Sequence, residues 1–152
     1  MITRRVRSVV MVDIENVVGE PQVARVEVER VMKVLTSVLD ESTQYVLGAS
    51  HSRNAFEAGL ACPGRRVIWS PGKDGADRAL QSEITNPTTL RQFGHLIVVS
   101  GDGGFADAIA LAARVGLRTT VLSRAAALSP KLRLAAHQVL TFPDTANDYE
   151  VA

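Results

Sequence analysis

The chain has 152 residues, 46% hydrophobic and 22% charged, which is the usual size and composition of one soluble globular domain. Seventeen Lys plus Arg against sixteen Asp plus Glu leave a formal charge of +1, too little to attract a polyanion by net charge alone. No run approaches the roughly 18 apolar residues that span a bilayer, and the lone Cys62 rules out an intrachain disulfide, which fits a reducing, cytoplasmic setting.

The start, MITRRVRSVVMVDIEN, is basic, but Asp13 and Glu15 interrupt its apolar stretch at once, so it does not read as a signal peptide. SVVMVDI (8–14) is a β-branched run of the kind buried on both faces of a sheet. From Pro21 to Leu39, valines and leucines recur at three- and four-residue steps, which predicts an amphipathic helix with Pro21 near its start. An exposed apolar face on this valine-rich helix would point to a homodimer, and core packing explains the same pattern equally well.

QYVLGAS (44–50) reads as a second strand, NAFEAGLA (54–61) as a short helix and RRVIWS (65–70) as a third strand. DGADRALQSEI (74–84) is the next helix, stopped by Asn86 and Pro87, and a polar segment then leads to the strand HLIVVS (95–100). The helix FADAIALAARVG follows, stopped by Gly116, and then the strand RTTVLS (118–123). SPKLRLAAH carries a Ser129 N-cap with Pro130 at the first helical position, and QVLTF (138–142) closes as a last strand. This alternation predicts an α/β fold, doubly wound, with a mainly parallel sheet and helices on both faces. One domain is expected over residues 1–143, with a polar tail over 144–152.

In such sheets ligands sit beyond the carboxyl ends of the strands, where the strand order reverses. Asp13, Glu15 and Asn16 follow the first strand, Ser70 to Asp77 the third, and Ser100, Gly101 and Asp102 the fourth. Carboxylates brought to one edge repel, and they stay ionised only if a cation or a row of Arg and Lys neutralises them. All-oxygen ligands suit Mg²⁺ or Mn²⁺. Each acid also has a plainer reading: Asp102 as a helix N-cap, and Asp74, Asp77 and Asp107 as first-turn acids that complement a helix dipole. Asn16 equally well bonds the loop backbone. Arg53, Arg65, Arg66, Lys73, Arg78 and Arg124 flank the acidic positions, where guanidinium groups suit phosphate. His51, His95 and His137 lie singly and lack zinc spacing. One Trp, two Tyr and four Phe give little sign of an aromatic stacking platform.

Three ordered segments resemble the NYN domains of the PIN-like nuclease superfamily: VVMVDIENV with Asp13 and Asn16, GKDGADRAL with Lys73 and Asp77, and IVVSGDGGFADAIALAARVGLRTTVLS. With the closing SPKLRLAAHQVLTF, the resemblance covers residues 8 to 142. It implies a metal-dependent ribonuclease that hydrolyses RNA, single-stranded in our reading, at an acidic Mg²⁺ or Mn²⁺ site. Asp13, Asp77 and Asp102 would be ligands directly or through water, Asn16 would order the site or contact substrate, and Ser100 would support the turn. Lys73 and Arg53 would hold the RNA backbone. The family usually places a second acid two residues after the position of Asp102, where this chain has Gly104; Asp107 or Asp74 would then substitute through water. The alternative is a module that binds RNA or protein and has kept the fold without catalysis.

Overall fold

The apolar runs become the strands of one sheet in the computed structural model, which describes residues 6–142. They are β1 (Ser8–Asp13), β2 (Gln44–Ala49), β3 (Arg66–Trp69), β4 (His95–Val99), β5 (Arg118–Arg124) and β6 (Gln138–Phe142). The order is β3-β2-β1-β4-β5-β6, and every neighbouring pair is parallel. Parallel strands need a crossover between them, and the helices supply it: α1 (Ile14–Val18), α2 (Arg25–Val38), α3 (Ser52–Ala61), α4 (Gly75–Ile84), α5 (Pro87–Gln92), α6 (Ala106–Arg114) and α7 (Pro130–Ala135).

Side chains that alternate along each strand fill two cores. Val9, Met11, Leu96 and Val98 pack with Leu80 and Ile84 of α4, Ile109 and Ala112 of α6 and Leu132 of α7. Val10, Val12, Ile97 and Val99 face the opposite way, toward Val17 of α1, Val28, Val31 and Leu35 of α2 and Ala58 of α3. The expected doubly wound, three-layer α/β class is therefore observed. Each fully buried Leu, Ile or Val contributes roughly 1.5–3 kcal/mol. Helix α4 lies against β2 at Gly48, where a Cβ would stand 2.5 Å from Leu80 Cγ, so this strand position has room only for glycine.

Four details differ from the pattern in the sequence. Helix α2 begins at Arg25 rather than Pro21, and Glu27 accepts from the backbone N–H of Ala24 at 2.9 Å to satisfy its first turn. A five-residue helix, α1, occupies the expected polar loop after β1, and α5 occupies the polar segment after Pro87. The stretch Gly103–Phe105 is a 3₁₀ turn ahead of α6. Of the valine-rich helix, Val28, Val31, Met32 and Leu35 are buried, while Val26 and Val38 are exposed singly, so core packing accounts for its pattern. Among the described residues, no helix is long and apolar enough to cross a membrane. The polar tail expected over 144–152 lies outside the described residues.

Candidate functional site

The strand order reverses between β1 and β4, whose registers align Val12 with Val99 and leave Asp13 and Ser100 together at the carboxyl edge. Asp13 is the last residue of β1 and only 5% exposed. Its Oδ2 accepts from the Ser100 hydroxyl at 2.8 Å, and Ser100 Oγ in turn accepts from the backbone N–H of Asp102 at 3.1 Å. Asn16 Oδ1 accepts from the Gly101 N–H at 2.9 Å, and the Asn16 carbonyl accepts from Arg124 Nε at 3.0 Å. The Ser100–Gly101–Asp102 turn is thus fastened to the corner between β1 and α1, and Arg124 from the end of β5 fixes that corner from the other side. Asp102 Oδ1 also accepts from the Gly104 N–H at 2.9 Å, so it caps the 3₁₀ turn as well as lining the site.

From the first turn of α4, Asp77 reaches the same edge, 8% exposed and bonded by the amide of Gln81. Its Oδ2 lies 2.4 Å from where a Cβ of Gly104 would be, and Asp102 Oδ1 lies 3.3 Å from the same point. Two carboxylates therefore converge on the bare glycine backbone. Glu15, from α1, turns one oxygen to the Ser50 N–H at 2.5 Å and to Asn54 Nδ2 at 3.1 Å. Its other oxygen, Oε2, is buried with no hydrogen-bond partner. Asp13, Glu15, Asn16, Asp74, Asp77, Asp102 and Arg124 line one cleft of about 350 Å³.

Two of these carboxyls, Asp13 and Asp77, are shifted by their surroundings. Burial pushes the Asp13 carboxyl up to about 7, partly offset by the Ser100 hydrogen bond and reinforced by Glu15, Asp102 and Asp77. Asp77 is raised too, first by burial and then by Asp102 and Asp74, against the Gln81 hydrogen bond and Arg78. Among the described residues, no Lys or Arg forms an ion pair with Asp13, Asp77 or Asp102.

Residues 7–143 match the NYN domain. The chain belongs to the NYN domain family. That family lies within the PIN-like nuclease superfamily, so the fold is nuclease-like. No curated protein matches. A crystal structure of a protein of unknown function from Vibrio parahaemolyticus RIMD 2210633 is similar with a TM-score of 0.64. The two are 18% identical over 91% of this chain and 94% of that one, a likeness of fold.

The NYN domain lines the cleft with oxygen donors, one of them the orphaned carboxylate oxygen Glu15 Oε2, and with one guanidinium, Arg124. Among the described residues, no three of these groups stand close enough to ligate one ion together. An ion at this edge would be held by one or two carboxylates and otherwise by water. Of the other residues singled out in the sequence, Asp107 is exposed on α6 and does not line the cleft. Lys73 is exposed, its carbonyl accepting from Arg78 Nη1 at 2.7 Å, and Arg53 lines a neighbouring hollow. Arg65 lies over the Tyr45 ring at 4.4 Å and Arg66 pairs with Glu83. His95 and His137 are structural, bonded to Thr120 and Thr119. Glu15 stood among the sequence acids, but its pairing with Asn54, 39 positions away, carries no local signal.

Proposed function

We propose that this NYN domain is a metal-dependent ribonuclease that hydrolyses phosphodiester bonds of single-stranded RNA in the cytoplasm. The observation that carries the reading is the convergence of Asp13, Asp77 and Asp102 on one cleft without a cationic side chain paired to them. A bound Mg²⁺ or Mn²⁺ would supply an activated water and a counter-charge for the phosphoryl oxygens. Asp13, Asp77 and Asp102 would hold that ion, directly or through water. Ser100 fixes the Asp13 carboxylate through its hydroxyl, and Asn16 keeps the turn that bears Asp102 in register with β1. Arg124 stands at the cleft wall, where a guanidinium orients a phosphate by paired N–H donors, and Lys73, the exposed neighbour in the chain of the cleft residue Asp74, adds charge. Purified protein is expected to cut labelled single-stranded RNA with Mn²⁺ and not with EDTA; absence of cutting under both conditions overturns the reading.

One observation favours a second reading, a non-catalytic module that binds RNA or protein: no three acids meet at ligating distance among the described residues. Titration with Mn²⁺ separates the two, since a ligand that binds only the folded state raises the melting temperature.

A further inference from the structure

Beside the acidic cleft lies a second hollow of about 720 Å³, within the range of roughly 300–1,000 Å³ typical of small-ligand sites. The two share Glu20, Pro21 and Ser50, so they are halves of one continuous surface. Their chemistry differs: the second hollow is lined by Trp69, His51 and Arg53, with Glu20 as its one acid. Trp69 ends the edge strand β3 and is 49% exposed, an unusual position for the largest apolar side chain. Opposite it stands the first turn of α3, with His51 at the N-cap position and no side chain capping the free amides.

Both walls are held in place. Asn54, 2% exposed, accepts from the Val23 N–H at 3.1 Å and donates to the Pro21 carbonyl at 2.9 Å, which ties the loop after α1 to α3. Arg78 donates to the carbonyls of Pro71 at 2.8 Å and Lys73 at 2.7 Å, which braces the loop after Trp69. A preformed hollow costs a ligand little ordering.

We propose that this hollow is a nucleotide subsite, in which Trp69 stacks on a base while Arg53 and the uncapped start of α3 receive its phosphate. Every base has a π-face, so a single tryptophan accepts any of them, and a guanidinium beside helix amides matches a phosphate in charge and geometry. The inference rests on the ribonuclease reading for its ligand: a strand lying over Asp13 and Asp102 continues across Ser50 into the hollow. It adds one stacking position to a chain whose composition shows little sign of a platform.

Trp69 is the only tryptophan, so its fluorescence reports the subsite directly. Titration with a short oligouridylate in EDTA, where nothing is cut, should quench it. The same ribose-phosphate oligomer without bases should bind about tenfold more weakly. With labelled oligonucleotide, Trp69→Ala and Arg53→Ala should each weaken binding about tenfold, and Trp69→Phe should restore it. In the Mn²⁺ reaction Trp69→Ala should raise KM and leave kcat unchanged. Absence of quenching, equal binding of the base-free oligomer, or unchanged affinity in both alanine variants overturns the subsite. Quenching in a protein that never cuts RNA overturns the nuclease reading and leaves the subsite standing.

Discussion

Replacing Asp13 by asparagine tests the electrostatic design of the site. Asp13 is nearly fully buried, and its carboxyl is pushed from 3.8 to about 7, chiefly by burial. A carboxyl whose pKa rises on folding costs stability once the unfolded chain ionises: its contribution is complete below about pH 4, falls as the pH climbs to about 7, and is constant above that. About three pKa units correspond to about 4 kcal/mol, the most that ionising Asp13 takes from the metal-free protein. The asparagine side chain is uncharged at every pH and keeps an oxygen to accept from Ser100. In urea unfolding with EDTA, Asp13→Asn should match wild type near pH 4 and exceed it near pH 8, by up to about 4 kcal/mol. Mn²⁺ should close much of that gap by stabilising wild type and should do little for the variant. A variant no more stable than wild type near pH 8, or a difference independent of pH, would refute the reasoning.

Asp102→Asn should abolish Mn²⁺-dependent cutting of single-stranded RNA while the melting temperature stays close to wild type; persistent cutting removes Asp102 from the mechanism. Mn²⁺ at a hundredfold excess over its dissociation constant should stabilise wild type by about 2.7 kcal/mol in thermal denaturation, whereas an unmoved Tm favours the non-catalytic reading. Asn54→Ala strands the Val23 N–H, the Pro21 carbonyl and one Glu15 contact, so chemical denaturation should show a loss of about 2–4 kcal/mol. Gly104→Ala places a methyl 2.4 Å from Asp77 Oδ2 and should cost about 1–3 kcal/mol; a Tm equal to wild type would mean that Asp77 swings aside freely.

The strands were legible because a parallel sheet covered on both faces demands unbroken apolar runs, and an acid that ends such a run, as at Asp13, has no reason to be there without a partner. Asp77 and Asp102 were legible from order along the chain once the winding put their strand ends on one edge. Helix α5 was not, because Asn86 and Pro87 do two jobs: they stop α4 and then start the next helix, with Asn86 accepting from the Thr88 N–H at 2.9 Å and Pro87 in its first turn. Helix α1 was hidden because five residues are too few for propensity to speak; buried Ile14 and Val17 hold it by packing. The link from Glu15 to Asn54 and the position of Trp69 beside the cleft are tertiary facts, and composition reports how many aromatics a chain has without saying where they stand.

Gly104 takes on a different meaning once its surroundings are known. Along the chain it is a glycine two residues after Asp102, where the resemblance to NYN domains implies an acid. In space it is the reason two acids meet, because a Cβ there would occupy the place taken by Asp77 Oδ2 and crowd Asp102 Oδ1, 3.3 Å away. The bare backbone also gives its N–H to Asp102, which fixes that carboxylate. Asp77 thus fills the space that a side chain at 104 would otherwise take. Gly104→Asp would add a negative charge beside Asp77, whose carboxyl burial, Asp102 and Asp74 already raise, so repulsion there would grow. The expected result is a domain less stable without metal and no faster with it, the opposite of what the bare sequence pattern suggests.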